Sequence, residues 1–221
     1  MTEDLVLASA STVRARLLAA AGIDFRIKPA ELDEGLFKQA RRAEGRDAAG
    51  CALALAEAKA RQVAARCGRA AVVIGADQLL VCGGVWFDKP ADLGQARTQL
   101  QALRGRTHEL VTAVCAVQDG SRIWHALSGP RLTVRHFTDA FLDDYIPAEG
   151  ADILRSVGAY RLEGRGAQLF EHIGVARLKR SIGRDDDCVH RTDAPRQRLD
   201  PVGDLERRLL VRYCQITSAK A

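Results

Sequence analysis

The sequence predicts an α/β protein with one substantial core, or with one core split into two lobes around a cleft. Short apolar and β-branched runs, typical of strands, alternate along the chain with longer stretches of helical periodicity. The clearest strand is Val72-Val73-Ile74, which is followed by a Gly75-Ala76 pair. With 221 residues, of which 47% are hydrophobic and 28% charged, the chain is long enough to bury such a core.

Composition excludes several classes of protein. No apolar run approaches the roughly 18 residues needed to span a bilayer, and residues 1–4 are acidic where a secretory signal would be basic and then apolar. The six cysteines form no CxxC pair and no zinc-type cluster with histidine, so they are predicted to be reduced thiols. We therefore expect a cytoplasmic protein with no membrane partner.

The net charge of +5 is unevenly distributed. Residues 175–221 contain 11 Lys and Arg against 7 Asp and Glu, whereas the preceding 174 residues contain 22 against 21. A nucleic-acid surface needs basic clusters with aromatic side chains for stacking, and only 5% of the residues are aromatic. No specific nucleic-acid partner is therefore expected, and a binding module carried by the basic tail is kept as an alternative.

The first elements predict a strand followed by a helix. Residues 5–8 are a short apolar run, and a helix is predicted over residues 13–21. Ser11 or Thr12 would cap this helix, so that free backbone N–H groups, hydroxyls and Arg14 converge at its N-terminus. This arrangement would suit a phosphate group. An ordinary capped helix with a solvated arginine is the alternative.

Three carboxylates follow the second predicted strand, residues 25–28. Glu31, Asp33 and Glu34 could coordinate a divalent cation, because hard oxygen ligands suit magnesium. A solvated acidic loop is the alternative.

Residues 48–66 are an alanine-rich stretch that predicts a helix. Leu55, Ala56 and Lys59 follow helical spacing on it, so Lys59 could reach from the helix edge into a cleft. A solvent-exposed lysine is the commoner outcome and stays the alternative.

Asp77 is the first candidate for catalysis. It stands at the predicted end of the strand that begins at Val72, where open α/β sheets place side chains at a crevice. The alternative is that Asp77 only begins a turn.

Further on, Gly83-Gly84 predicts a hairpin turn. Lys89 precedes Pro90, which favours an extended backbone and fixes the direction of the lysine.

Periodicity and turn residues predict the rest of the main body. The predicted helices cover residues 93–103 and 139–145, the second capped by Thr138, and the predicted strands cover residues 79–82, 85–87, 108–117, 123–126 and 132–137. The histidines on these strands, His108, His125 and His136, have no metal-ligand spacing and are expected to be structural.

The stretch from Gly158 to Ala167 contains three glycines, which allow a backbone to bend tightly around a ligand. Arg161, Glu163 and Arg165 offer hydrogen-bonding groups suited to a base edge or a phosphate. The glycine pattern alone is weak support for a binding loop.

Seven short motifs occur in order along the main body. They are Leu7-Ala8-Ser9-Ala10-Ser11, Asp33-Glu34, Leu55-Ala56-Glu57-Ala58-Lys59-Ala60, Gly75-Ala76-Asp77, Lys89-Pro90, Gly105-Arg106-Thr107-His108, and Gly158-Ala159-Tyr160 with Gly166-Ala167. In this order they resemble the motifs of Maf-like nucleoside triphosphate pyrophosphatases. The resemblance covers residues 5–174, and seven motifs in register are highly specific.

The resemblance implies an α/β fold with a long mixed sheet flanked by helices and a central cleft, shared with inosine triphosphate pyrophosphatases. It also implies hydrolysis of a nucleoside triphosphate to the monophosphate and pyrophosphate with a divalent cation, Mg²⁺ or Mn²⁺. Asp77 matches the proton acceptor and a metal ligand, and Glu34 matches the metal-site acid. The matching groups around the triphosphate are Ser9, Ser11 and Arg14, with Lys59 and Lys89 offsetting charge on the leaving pyrophosphate.

Three positions separate two subfamilies that prefer different nucleotides. They match Val13, Gln78 and Glu163, where one subfamily typically has Arg, Thr and Gln and the other Trp, Gln and Glu. Gln78 and Glu163 resemble the second type, which acts on 7-methyl-GTP, and a carboxylate can accept from the N1–H and N2–H₂ donors of guanine. Val13 matches neither pattern. The favoured substrate is therefore 7-methyl-GTP, with UTP and dTTP second.

Residues 1–174 are predicted to form the Maf-like domain and residues 175–221 an atypical basic tail. The tail lacks the closing segment of the family, and only residues 205–213 have a helical pattern. A reading-frame change near Gly174 or a diverged, poorly ordered end would account for this tail.

The alternative function is a nucleotide-binding regulator of septum formation without turnover. A homodimer is a possible partner state.

Overall fold

The computed structural model describes residues 4–174 and 178–182. Their strands are β1 Leu5–Leu7, β2 Arg26–Ile27, β3 Val72–Cys82, β4 Val85–Phe87, β5 Thr107–Gln118, β6 Ser121–Ser128, β7 Arg131–Val134, β8 Phe170–Ile173 and β9 Leu178–Ile182. Their α-helices are α1 Thr12–Ala20, α2 Glu34–Ala43, α3 Ala48–Ala64, α4 Leu93–Leu103 and α5 Asp139–Glu149. Two short 3-10 helices cover Gly150–Arg155 and Arg165–Leu169.

All nine strands of these described residues belong to one mixed sheet. β1 is parallel to β2 on one side and to β3 on the other. The pairs β3–β4, β5–β6, β5–β7, β6–β9 and β7–β8 are antiparallel. The predicted α/β fold with a mixed sheet flanked by helices is therefore confirmed.

The chain divides into two compact units. Of the described residues, 4–77, 112–128 and 178–182 form the first unit, and 78–111 with 129–174 form the second. The boundaries fall inside β3, between Asp77 and Gln78, and inside β5, between Val111 and Thr112. Each unit buries its own apolar residues.

In the first unit the core lies on the central strands. Leu5, Leu7, Val72 and Ile74 of β1 and β3 pack in one cluster with Leu18 of α1 and with Ala116, Trp124 and Ala126 of β5 and β6. Residues 72–77 are buried without interruption, which is why this part of β3 is a continuous apolar run rather than an alternating one.

In the second unit α4, α5 and the following loop bury apolar side chains on the strand segments. The largest buried members are Leu80, Leu100, Leu103, Leu132, Leu142, Ile153 and Leu169. Thr138 caps α5 as predicted, since its hydroxyl accepts a hydrogen bond from the Phe141 amide at 3.2 Å. The helix continues to Glu149, beyond the predicted end at residue 145, with Pro147 inside it.

The structure differs from the sequence prediction at the end of one strand and decides one alternative that the sequence left open. The strand predicted to end at Asp77 continues through it to Cys82, because Leu80–Cys82 still pair with β4. The acidic stretch that could have been a solvated loop instead starts α2: the Asp33 side chain accepts a hydrogen bond from the Leu36 amide at 3.0 Å, and Glu34 is the first helical residue.

The predicted tail begins with structure. β9 pairs with β6 in antiparallel register, from Trp124 opposite Ile182 to Ser128 opposite Leu178. Residues 178–182 therefore belong to the sheet, whereas the helical pattern predicted at residues 205–213 lies outside the described residues.

None of the helices in the described part of the chain is both long and apolar enough to cross a membrane. Within the same part, Cys51, Cys67, Cys82 and Cys115 are free thiols.

Candidate active site

A lysine held between two carboxylates is the most unusual feature of the first unit. Lys59 Nζ lies 2.6 Å from Glu34 Oε1 and 2.6 Å from Asp77 Oδ1. The side chains of Lys59 and Asp77 are 9% and 5% exposed, and that of Glu34 is 33% exposed. We call these three residues the carboxylate–lysine cluster. The prediction that Lys59 could turn inward is thus met, and the exposed alternative is wrong.

Three elements bring this cluster together. Lys59 stands on the buried face of α3 among the apolar residues Leu55, Ala56, Ala60 and Val63. A charge in such a place is costly unless it is paired. Asp77 on β3 and Glu34 at the first turn of α2 supply the partners.

Gly75 explains how α3 comes close enough to β3. A Cβ atom on Gly75 would overlap the backbone carbonyl of Ala56 and contact the methyl group of Ala60. The absence of a side chain lets the helix approach the strand two residues before Asp77. This glycine therefore marks a close backbone approach and not the end of a strand.

A second group of polar residues lies at the N-terminus of α1. Ser11 is the N-cap, and its hydroxyl accepts a hydrogen bond from the Arg14 amide at 3.4 Å. Ser9 Oγ accepts from the Ser11 amide at 3.2 Å and from Arg14 Nη1 at 3.1 Å. We call Ser9, Ser11 and Arg14 the serine–arginine cluster. It combines hydroxyls, a guanidinium and the start of a helix, all of which favour an anion.

The two clusters are joined through the backbone. Arg14 Nη1 also donates to the carbonyl of Ala76 at 2.9 Å, and Asp77 is the next residue. The predicted anion-binding residues and the predicted base are therefore adjacent within the first unit.

The two oxygens of Asp77 have different surroundings. Oδ1 accepts from Lys59, whereas Oδ2 is buried and has no hydrogen-bond partner among the described residues. A buried acceptor without a partner is costly in a folded protein. A water, a substrate hydroxyl or a cation at Oδ2 would satisfy it.

The donor set also fits a divalent cation. Glu34 and Asp77 provide hard carboxylate oxygens, and Mg²⁺ is commonly held by one or two carboxylates together with substrate phosphates and waters. No group of three or more His, Cys, Asp and Glu side chains suited to a metal ion occurs in the described part of the chain. The remaining ligands would then come from the substrate.

Nearby thiols are unsuited to nucleophilic chemistry. Burial raises the pKa of the Cys51 thiol, and the charge of Asp77 adds to this effect. Burial also raises the pKa of Cys115 to about 12. Both thiols are therefore protonated at neutral pH and are poor nucleophiles.

Val13 and the remaining predicted residues have separate positions. Val13 is on α1 and is 40% exposed. Gln78, Lys89 and Glu163 belong to the second unit. There Gln78 continues β3, Lys89 follows β4, and Glu163 is exposed in the loop that precedes the second 3-10 helix.

The prediction that Arg161 offers its hydrogen-bonding groups to a ligand needs correction. The Arg161 guanidinium is bound to Glu149 and to Asp152, at 3.1 Å and 3.0 Å. The backbone N–H of Arg165 donates to Glu149 Oε1 at 3.0 Å. Glu149, which no sequence motif singled out, is therefore the anchor of this loop.

A second set missed by the sequence supports α3. Glu57 on α3 is paired with Arg61 on the same helix and with Arg122 on β6. The predicted motif that contains Lys59 also contains Glu57, but a spacing of two residues puts the two side chains on different faces of a helix. Only the fold shows that Glu57 faces a strand.

Comparisons with known proteins show the family of this chain. The family described as Maf-like protein matches residues 4–177. A nucleoside triphosphate pyrophosphatase of Granulibacter bethesdensis is 52% identical over 169 residues, which are 76% of this chain and 85% of that protein.

Two further relatives match the same region. A nucleoside triphosphate pyrophosphatase of Paramagnetospirillum magneticum is 53% identical over 165 residues, 75% of this chain and 84% of the relative. A 7-methyl-GTP pyrophosphatase of Rhizobium meliloti is 44% identical over 169 residues, 76% of this chain and 84% of the relative.

Proposed function

This chain belongs to the Maf-like family, and from that membership we propose that it hydrolyses a nucleoside triphosphate to the nucleoside monophosphate and pyrophosphate. The enzyme class predicted from the sequence is the one that relatives at 52% and 53% identity carry in their names. The observation that carries the proposal is the buried Asp77, which has one oxygen on Lys59 and the other without a hydrogen-bond partner among the described residues.

The geometry supports Asp77 as the general base. Its Oδ2 can accept a proton from a water molecule, and that water then attacks the α-phosphorus. The bond between the α-phosphorus and the bridging oxygen of the β-phosphate breaks, and pyrophosphate leaves with the electron pair. Proton transfer by a positioned carboxylate typically contributes about 10²- to 10⁴-fold to the rate.

The cationic residues would stabilise the charge that develops in this reaction. Arg14, whose guanidinium is held by Ser9 and by the carbonyl of Ala76, is fixed before substrate binds. Lys59 is fixed in the same way by its two carboxylates. Donors that need no reorganisation stabilise a transition state most effectively. Lys89 is proposed for the same task from its motif.

Glu34 and Asp77 are proposed to hold the divalent cation, Mg²⁺ or Mn²⁺. When bound, the cation would neutralise phosphate charge and favour deprotonation of the attacking water. The structural support for this assignment is that Glu34 and Asp77 both lie 2.6 Å from Lys59 Nζ, so that two carboxylates occur together.

We further propose 7-methyl-GTP as the preferred substrate, with UTP and dTTP second. Glu163 is exposed in its loop, where a carboxylate could accept from the N1–H and N2–H₂ groups of a guanine. A relative named 7-methyl-GTP pyrophosphatase is 44% identical, whereas the names of the relatives at 52% and 53% specify no base.

Release of pyrophosphate from a panel of nucleoside triphosphates tests the reaction. With Mg²⁺ or Mn²⁺ the wild type should turn over at least one of them, and Asp77→Asn should lower kcat by about 100-fold or more. Asp119→Asn is the matched control, since it changes an exposed aspartate of the same unit that pairs with Arg69. Binding of nucleotide without pyrophosphate release would favour the regulator over the enzyme.

The base preference is tested by comparing kcat/KM for 7-methyl-GTP, UTP and dTTP. Glu163→Gln should reduce the preference for 7-methyl-GTP by about 10-fold, because a charged acceptor for two donors is replaced by an amide. Glu171→Gln, an exposed carboxylate on β8, is the control. An unchanged preference in Glu163→Gln would remove this residue from substrate choice.

A further inference from the structure

Glu149 is a buried carboxylate that has no role in the proposed reaction and belongs to none of the seven sequence motifs. It is the last residue of α5, and its side chain is 4% exposed. A carboxylate in that environment is stable only when its oxygens are paired. Its partners are therefore informative about its role.

Both oxygens of Glu149 bind the same loop. Oε2 accepts from Arg161 Nε at 3.1 Å and also lies 3.1 Å from the second terminal nitrogen, Nη2. Oε1 accepts from the backbone N–H of Arg165 at 3.0 Å. The two anchored positions stand two residues before and two residues after Glu163.

The loop is compact as well as anchored. A Cβ atom on Gly166 would come within 2.7 Å of the backbone of Arg161, so the two ends of the segment touch each other. Arg161 Nη1 donates to Asp152 at 3.0 Å, which holds the guanidinium from a second side. Glu163 is thus exposed on a short bend, and both ends of this bend are bound to the carboxylate of Glu149.

We propose that Glu149 is a positioning residue for substrate choice, because it holds the loop that presents Glu163 to the base of the nucleotide. This inference rests on the proposed recognition of the nucleotide base by Glu163. A hydrogen-bonding side chain discriminates between bases only when its own position is held. We therefore assign the rigid placement of Glu163 to Glu149, which lies 14 positions away in sequence.

The test measures kcat/KM for 7-methyl-GTP and for UTP in the full-length enzyme. Glu149→Gln should lower the ratio of the two values by about 5- to 10-fold, with kcat for UTP within about twofold of wild type. Asp143→Asn is the matched control on the same helix, because it breaks an exposed ion pair with Arg97 and does not touch the loop. It should leave the ratio unchanged.

A double-mutant cycle separates positioning from general destabilisation. If Glu149 acts through Glu163, then adding Glu149→Gln to Glu163→Gln should change the ratio no further. Equal effects of Glu149→Gln in both backgrounds, or equal losses with both nucleotides, would overturn the inference. Arg161→Lys offers a second variant in case Glu149→Gln does not fold. It keeps the charge but loses the two-nitrogen contact, and it should shift the ratio in the same direction.

The cycle also distinguishes the inference from the function on which it rests. If Glu163→Gln alone leaves the preference unchanged, the base-reading role fails and the inference fails with it. If Glu163→Gln changes the preference while Glu149→Gln and Arg161→Lys do not, only the positioning role of Glu149 is wrong.

Discussion

Lys59 is the residue of the proposed site whose surroundings the structure defines most sharply. Its ammonium group lies between Glu34 and Asp77, which are also the proposed metal ligands. A divalent cation held by these two carboxylates would therefore lie close to the positive charge of Lys59. The lysine keeps two close carboxylates from repelling each other before the cation and substrate arrive.

We expect Lys59→Met to bind Mn²⁺ more tightly than the wild type does, by about fivefold or more, because a competing unit charge is removed from the site. The same variant should lose turnover, since it lacks a cation for the triphosphate. Isothermal titration calorimetry with Mn²⁺ in the absence of nucleotide measures the first effect.

Lys28→Met is a suitable control for this experiment. Lys28 belongs to the same unit, and its ammonium group contacts the carbonyl of Arg66 and the thiol of Cys67. Its replacement should leave the affinity for Mn²⁺ unchanged. Equal affinities of Lys59→Met and wild type would show that Lys59 does not compete with the metal.

The packing of α3 on β3 positions the proposed general base, Asp77. Gly75 allows the close approach, and the buried face of α3 brings Lys59 to Asp77. Glu57 and Arg122 join the same helix to β6. The position of Lys59 therefore depends on two contacts of one helix, neither of which is part of the proposed chemistry.

Gly75→Ala should lower the free energy of unfolding by about 3 kcal/mol, because the added methyl group overlaps a backbone carbonyl that cannot move alone. Urea unfolding followed by circular dichroism measures the change. Gly68→Ala is the matched control, since a Cβ atom there meets nothing within 4 Å. Its effect should stay within about 1 kcal/mol, and a similar small effect of Gly75→Ala would contradict the close approach.

The stability of the whole protein should depend on pH through a buried histidine. His108 is 2% exposed, and its Nε2 lies 2.7 Å from the hydroxyl of Tyr160. Burial lowers the pKa of His108 from 6.5 to about 4. Burial also lowers the pKa of the half-buried His125. Both groups are therefore neutral in the folded state over a range where the unfolded chain takes up protons.

The sign of the effect follows from this difference. Above pH 6.5 neither state binds a proton at His108, and stability is unaffected by it. As the pH falls from 6.5 to about 4, the unfolded state is protonated first, so stability decreases, by up to about 3 kcal/mol. Urea unfolding at pH 7, 5.5 and 4.5 measures the loss.

His108→Gln removes this titration while keeping a side chain that can bind the Tyr160 hydroxyl. It should lose less stability than wild type over the same pH interval, whatever its stability at pH 7. His172→Gln, which changes an exposed histidine on β8, is the control. A pH dependence in His108→Gln equal to that of wild type would show that another group is responsible.

Local patterns in the sequence were sufficient for most of the elements and for the residue types of the site. Caps such as Ser11 and Thr138 were predictable because capping is a contact between residues three apart. The apolar run from Val72 predicts a buried strand, but the glycine within it does not mark the end of that strand. Glycine at a close backbone approach and glycine at a turn look the same in a sequence.

Which residues form the site together could be learned only from the fold. The order of motifs along the chain indicates Glu34, Lys59 and Asp77 as separate candidates. For each of them the sequence also allows a role without function: a solvated loop, an exposed lysine and a turn. Their meeting at 2.6 Å requires α2, α3 and β3 to converge, and the role of Glu149 requires a helix end to meet a loop 12 to 16 residues later. Periodicity and capping depend on neighbours in sequence, whereas such pairings depend on packing between distant segments.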